Sequence, residues 1–242
     1  MQISQLSNPF LPPGHLVDVG GFRLHQYTLG SGDPTVLLEA GGQGWSLDWR
    51  LVQPQVAQFT QVCAYDRAGL GWSDPGPEPR HVQQVVDELQ VLLERSDILG
   101  PLVLVAASYG AYVARLFAHQ FPSEVAGIVL IDAWHEALSE RMPPAWHKLE
   151  KRRTNNLKRQ HTLARMGILN RTAKLFGESA ISAQIQDLPR HIQAMYRTPQ
   201  YFATRLAEQA DHTKSETQLK TSGSLGDIPL FVISQDSPDQ FA

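Results

Sequence analysis

Cysteine is almost absent from this sequence, since Cys63 is the single one among 242 residues. One cysteine excludes an internal disulfide and a multi-cysteine metal site, and its apolar neighbours predict a small buried side chain. Long apolar runs are absent too. No segment approaches the roughly 20 apolar residues that span a bilayer, and residues 1–13 lack the basic start and apolar stretch of a secretory signal. We therefore expect a cytoplasmic protein without stable membrane insertion.

Neither sign of charge is in large excess. The chain has 21 lysines and arginines against 24 aspartates and glutamates, which gives a net charge of −3. This balance argues against a nucleic acid or an anionic membrane as the partner of the whole chain. With 42% hydrophobic residues, the chain is long enough for one sizeable core and a small inserted subdomain.

Short apolar segments alternate with helical patterns along the first half of the chain. Strands are predicted at 15–19, 22–29, 35–39, 61–65, 101–106 and 125–131. Helical spacing is clearest at 79–99, where apolar residues recur three and four positions apart, and is also found at 111–121 and, interrupted by Pro54, at 47–59. Continuous apolar strands that alternate with helices predict an α/β fold, with a mostly parallel sheet and helices on both faces.

The alternation stops at Ala133. From about 134 to 224 the chain is polar, helical in propensity and broken by prolines, and a strand pattern returns at 228–234. This organisation predicts a core formed by residues 1–132 and 227–242, with a helical cap inserted at 133–226.

Ser108 lies where a buried-strand pattern changes abruptly into a helical one. Small residues stand two positions before it, Ala106, and two positions after it, Gly110. This is the pattern of a nucleophile elbow, a strained turn that exposes a serine hydroxyl at the edge of a sheet. A helix N-cap serine is the structural alternative.

A serine nucleophile also needs amide protons to stabilise the oxyanion that forms on its substrate. The amide of Tyr109 follows the predicted elbow and lies at the positive end of the next helix. The glycine-rich segment 40–44 follows the third strand and predicts a second donor, either Gly42 or Gln43. The glycines at 69 and 71 match neither a dinucleotide fingerprint nor a P-loop, so segment 66–74 predicts a structural turn.

The order of these motifs resembles that of the α/β-hydrolase superfamily. The segments that carry the resemblance are 40–44, 66–73, 106–110 and 125–132. The resemblance implies Ser108 as nucleophile and the Gly42 and Tyr109 amides as oxyanion donors, with a small-molecule acyl substrate and neither a metal nor an organic cofactor. Ala106 replaces the usual glycine of the elbow. A serine in place of aspartate disfavours epoxide-hydrolase and haloalkane-dehalogenase chemistry, which uses a carboxylate nucleophile.

The resemblance further implies an acid and then a histidine, in that order along the chain. Asp236 is the predicted acid, with Asp132 and Asp239 as alternatives. No histidine follows Asp236. We therefore expect a chain that lacks its C-terminal strand and is weakly active or inactive as a hydrolase of small apolar esters. The alternative is a non-catalytic protein that binds a ligand or partner in the same pocket. The oligomeric state stays open.

Overall fold

A seven-stranded sheet forms the centre of the computed structural model, which describes residues 12–98, 100–169 and 187–234. The strands are β1 His15–Asp18, β2 Arg23–Leu29, β3 Thr35–Glu39, β4 Val62–Tyr65, β5 Leu102–Ala107, β6 Val125–Ile131 and β7 Leu230–Ile233. Their spatial order is β1-β2-β4-β3-β5-β6-β7. β1 and β2 pair antiparallel, as do β2 and β4, and every other pair is parallel. The mostly parallel α/β sheet predicted from the sequence is confirmed.

Both faces of the sheet carry helices. Leu37 of β3 faces an apolar core formed with the helices at 82–95 and 110–120, whereas Val36 and Leu38 face a second core with Trp49 on the opposite side. This alternation follows from the two-residue period of a strand. The helices of this half are α1 Gln53–Val56, α2 Val82–Arg95 and α3 Gly110–Gln120, with short 3-10 helices at Ser46–Trp49 and Pro122–Glu124.

The helical pattern at 79–99 forms α2, although the helix is shorter than predicted at both ends. Its apolar side chains are buried against the sheet and α3. The helix begins after His81, whose Nδ1 accepts a hydrogen bond from the Gln84 amide at 3.2 Å. It ends at Arg95, and Asp97 adopts a φ of 54° beyond it.

Between β6 and β7 the described residues form helices and no strand. These helices, which we call the helical insert, are α4 Leu138–Arg141, α5 Pro144–Arg165, α6 Arg190–Met195, α7 Pro199–Ala210 and α8 His212–Ser222. Their apolar side chains form a separate cluster with Trp45 and Leu70, which belong to the loops after β3 and β4. The insert therefore packs on loops at the carboxyl ends of the parallel strands.

β7 lies at one edge of the sheet and pairs with β6 along one side. All four of its side chains are exposed, Phe231 to 69%. Its continuous apolar sequence is typical of an interior strand, so this edge presents an unusual amount of apolar surface.

No helix in the described ranges combines the length and the apolarity that a membrane crossing requires.

Candidate active site

Ser108 occupies a sharp turn between β5 and α3. Its φ is 50°, a left-handed conformation that few residues other than glycine adopt. Three backbone hydrogen bonds fix it. Its amide donates to Ile131 O at 2.9 Å, and its carbonyl accepts from the amides of Ala111 and Trp134, both at 3.1 Å. A non-glycine residue in this region costs of the order of 1–3 kcal/mol, which the surrounding contacts must offset.

The small residues on each side of Ser108 let the elbow pack tightly. A Cβ atom on Gly110 would lie 2.7 Å from the carbonyl oxygen of Ala40 and 2.9 Å from that of Glu39. Both distances are shorter than a van der Waals contact, so a side chain here would push α3 away from β3. Ala106 is fully buried. The strand–turn–helix geometry therefore agrees with the pattern that the sequence shows around Ser108.

The glycine-rich loop after β3 lies directly against this elbow. A Cβ on Gly41 would be 3.5 Å from Ser108 Cβ, and one on Gly42 would be 3.4 Å from Tyr109 Cβ. Within the described residues, the amides of Gly42, Gln43 and Tyr109 donate no hydrogen bond. Unpaired N–H groups beside a serine hydroxyl are the requirement for an oxyanion hole. Gly42 and Gln43 thus both stay available as the second donor.

Of the three candidate acids, one lies among the described residues. Asp132 directly follows β6, has a φ of 44°, and donates its amide to Ile233 O at 2.8 Å. It therefore lies at the same edge of the sheet as Ser108. Asp236 and Asp239 lie outside the described residues.

No histidine lies within hydrogen-bonding distance of the Ser108 hydroxyl in the part of the chain that the structure describes. Two histidines of the helical insert, His161 and His212, line the same cavity as Ser108. The His212 ring lies 5.1 Å from Trp134 and 5.8 Å from Tyr112, and its buried Nε2 has no hydrogen-bond partner among the described residues. Burial lowers the pKa of His212, although Glu216 and Glu150 oppose the shift.

A cavity of about 1660 Å³ opens above Ser108. The elbow and the glycine loop form its floor, and helices α5, α7 and α8 contribute its walls. Apolar side chains among the lining residues include Trp134, Leu157, Phe202 and Leu206. Pockets for small molecules occupy about 300–1,000 Å³, so the space is large enough for a small acyl substrate.

The turn at 66–74 is stabilised by contacts of the Asp66 carboxylate. The buried Asp66 carboxylate accepts hydrogen bonds from the amides of Ser46, at 2.8 Å, and Trp72, at 2.9 Å. Its Oδ2 also lies 2.9 Å from Nδ1 of the buried His25. These contacts are those of a structural turn, as the sequence predicts.

A buried ionic cluster below the glycine loop was not predicted from the sequence. Arg67 contacts Glu39 of β3 and Glu208 of α7, and the three side chains are nearly inaccessible to solvent. Glu208 lies 141 positions from Arg67. No local pattern signals a pairing over that separation.

Comparisons with known proteins agree with this architecture. A family model described as the alpha/beta hydrolase fold matches residues 34–233. The 2-hydroxy-6-oxo-2,4-heptadienoate hydrolase of Pseudomonas putida is 30% identical over 131 residues, which are 50% of this chain and 44% of that enzyme. An uncharacterized protein of Schizosaccharomyces pombe is 44% identical over 82 residues, 34% of this chain and 15% of that protein. The chain thus spans less than half the length of these curated relatives.

Solved structures show the same fold. The haloalkane dehalogenase DatA of Agrobacterium tumefaciens superposes with a TM-score of 0.68 at 20% identity, over 90% of this chain and 77% of that one. At this identity the likeness concerns the fold alone. Together with the family model, which matches more than half of the sequence, it leads to one assignment. This chain belongs to the α/β-hydrolase fold family.

Proposed function

We propose that the protein is a serine hydrolase that transfers the acyl group of small apolar esters to water through Ser108. The observation that carries the proposal is the left-handed Ser108 turn, packed against a glycine loop in which the Gly42 and Gln43 amides donate no hydrogen bond among the described residues. The hydrolase name of the Pseudomonas putida relative supports the reaction class.

The reaction has two steps. The Ser108 oxygen bonds to the ester carbonyl carbon as the hydroxyl proton passes to a base or to solvent. The bond from that carbon to the alcohol oxygen then breaks, and the same base or solvent returns a proton to the departing alcohol. Water then attacks the acyl-serine, which releases the acid and restores the hydroxyl. In both steps the carbonyl oxygen gains negative charge, which the amides of Tyr109 and Gly42 stabilise. The N-terminus of α3 adds its positive dipole end at this point.

The division of the chain is part of the proposal. Residues 1–132 and 227–242 form the hydrolase core, and 133–226 form a cap over the cavity. Support comes from the apolar cluster that joins the insert to the loop residues Trp45 and Leu70. The apolar lining of the cavity favours an apolar acyl group.

Turnover by this chain is expected to be slow. A serine hydroxyl attacks efficiently when a histidine takes its proton, and no such contact joins Ser108 to a histidine among the described residues. A site without its base keeps an enhancement of about 10³- to 10⁴-fold from binding and the oxyanion hole. The same observation favours the second candidate function, a non-catalytic protein that binds a ligand in this cavity.

Two reagents distinguish these functions. A fluorophosphonate forms an oxygen–phosphorus bond with an activated serine as fluoride leaves, and p-nitrophenyl acetate reports acyl transfer by release of nitrophenolate. We expect the fluorophosphonate to label the unmodified chain and not Ser108→Ala, and nitrophenolate release to be slower with Ser108→Ala. Ser139→Ala is the matched control, because Ser139 lines the same cavity. Equal rates for the unmodified chain and Ser108→Ala would overturn the hydrolase proposal, and saturable ester binding without reaction would favour the binding protein.

A further inference from the structure

One face of helix α7 contacts the glycine loop that lies against Ser108 and the turn after β4. Thr204 and Glu208 follow Tyr201 by three and seven positions, so the three residues share that face. All three are buried. The Tyr201 hydroxyl donates to the Gln43 carbonyl of the glycine loop at 3.1 Å. A Cβ on Gly69 would lie 1.9 Å from Thr204 Oγ1, so the turn after β4 needs a glycine there to admit the helix.

Glu208 reaches the glycine loop through Arg67. The guanidinium donates from Nε to Glu208 Oε1 at 2.9 Å and from Nη1 to Glu39 Oε1 at 2.7 Å. It also donates to the carbonyls of Ala40 and Gly41, both at 2.8 Å. One guanidinium group therefore joins the helical insert, strand β3 and the loop. Arginine suits this position because its donors have a fixed planar arrangement.

The cluster of Arg67, Glu39 and Glu208 is closed to solvent. Side-chain exposure is 1% for Arg67, 3% for Glu39 and 4% for Glu208. Burial alone would lower the pKa of Arg67, but Glu208 and Glu39 outweigh it and raise that pKa well above its ordinary value. Burial raises the pKa of Glu39, against the opposing effects of Arg67 and Tyr65. Arg67 therefore stays charged, and removal of Glu208 would leave that charge with one carboxylate fewer.

The carbonyl that Arg67 contacts also closes the turn of the glycine loop. Gly41 O accepts from the Gly44 amide at 3.1 Å, as well as from Arg67 Nη2 at 2.8 Å. Gly42 lies inside this turn, against Tyr109. Arg67 and the Gly44 amide thus together hold the peptide group between Gly41 and Gly42, and the N–H of that group is the Gly42 amide proposed for the oxyanion hole.

We infer that Arg67, Glu208 and Tyr201 are positioning residues that hold the glycine loop in its oxyanion-binding conformation only while α7 is docked on it. The insert thereby controls reactivity through the loop, besides closing the cavity. A substrate that moves α7 away from the loop loses the second oxyanion donor, whereas one that fits beneath α7 keeps it. The consequence for reactivity rests on the proposed function, but the mechanical connection between helix and loop does not.

Hydrogen exchange of the Gly44 amide tests the connection without any reaction. Glu208→Gln removes the charge that faces Arg67, and Tyr201→Phe removes the hydroxyl bond to Gln43 while it keeps the ring. We expect exchange at Gly44 to accelerate about 10- to 100-fold in Glu208→Gln and less in Tyr201→Phe, because breaking a buried ion pair is the larger perturbation. Glu140→Gln is the matched control, since it breaks an exposed ion pair of the same insert with Lys220.

Fluorophosphonate reactivity of Ser108 then tests the positioning role. Loss of one oxyanion donor slows catalysis about 10²- to 10³-fold, so a displaced donor should slow the bimolecular rate about tenfold in Glu208→Gln. Glu208→Asp, which restores the charge, should recover part of the loss. Tyr201→Phe keeps the inference testable if Glu208→Gln does not fold.

The outcomes separate the two proposals. Unchanged Gly44 exchange in both folded variants overturns the connection between helix and loop. Faster exchange with an unchanged rate at Ser108 overturns the positioning role. An unmodified chain whose Ser108 does not react overturns the proposed function and with it the effect on reactivity, while the exchange data still decide whether α7 holds the loop.

Discussion

Replacement of Gly110 by alanine tests whether close packing at the elbow sets the reactivity of Ser108. The added Cβ would lie 2.7 Å from the Ala40 carbonyl oxygen, and both backbone oxygens that it meets belong to β3 and its following residue. Backbone atoms cannot rotate away as a flexible side chain can. To reach an ordinary contact of about 3.4 Å, α3 and β3 must separate by about 0.7 Å.

Two effects of opposite sign contribute to the change in stability. Overpacking of this size costs about 1–3 kcal/mol, whereas alanine gains up to about 1 kcal/mol over glycine in a helix. Gly110 is the first residue of α3, where the helical gain is small, so we expect the free energy of unfolding to fall by about 1–2 kcal/mol. The melting temperature should decrease by about 2–8 °C for a chain of this size.

Reactivity should fall more than stability does. A misplacement of about 1 Å can cost about 100-fold in rate, so a shift of about 0.7 Å between elbow and loop should slow fluorophosphonate labelling about 10- to 100-fold. Gly127→Ala in β6 is the control, because its Cβ would meet Pro229 O at an ordinary 3.5 Å. Labelling of Gly110→Ala at the same rate as Gly127→Ala would refute the argument that close packing positions Ser108.

Three further predictions concern stability and association. Burial alone would lower the pKa of His25, but the Asp66 charge and hydrogen bonds outweigh it and raise that pKa. Protonated His25 therefore stabilises the fold below about pH 6.5, and this stabilisation is lost as the pH rises through the raised pKa. Urea unfolding at pH 5.5 and 8.5 should show that difference for the unmodified chain and not for His25→Gln. Hydrogen bonding to Arg115 lowers the pKa of Glu136 to about 2, so unfolding free energies of Glu136→Gln and the unmodified chain should converge as the pH falls from about 4.5 to about 2. The exposed apolar edge strand β7 should promote self-association. Phe231→Lys, which places a charge on it, should therefore reduce concentration-dependent light scattering without lowering the melting temperature. Equal scattering by the variant and the unmodified chain would contradict association through β7.

The sequence predicts those features of the fold that depend on residues close together in the chain. The change from strand to helix around Ser108 needs only neighbouring residues, and the structure places that turn between β5 and α3. The positions of β3 and β4 follow likewise from short apolar runs, and every residue of these two strands is buried. The helical spacing at 47–59 is interrupted by Pro54. The structure has a 3-10 helix at Ser46–Trp49 and the four-residue α1, which carries the proline in its first turn.

The polar contacts around the site could not be predicted in the same way. Arg67 and Glu208 are 141 positions apart, and each has the residue type of a solvated surface. Their pairing depends on how the helical insert packs on the core, and no local sequence pattern reports that packing. Acidic candidates illustrate the same limit. Asp132 follows β6 as a turn aspartate does, and only tertiary structure puts it at the edge of the sheet that carries Ser108.

Acyl-group mapping after reaction with p-nitrophenyl acetate tests whether Ser108 is the nucleophile. Tryptic cleavage after Arg95 and Arg115 gives a peptide that contains both Ser96 and Ser108, so fragmentation spectra compare the two hydroxyls within one molecule. We predict acetyl transfer to Ser108, because its strained backbone presents it to the glycine loop, and none to Ser96. Acetyl groups spread over surface side chains, with Ser108 unmodified, would contradict the assignment of Ser108 as the nucleophile.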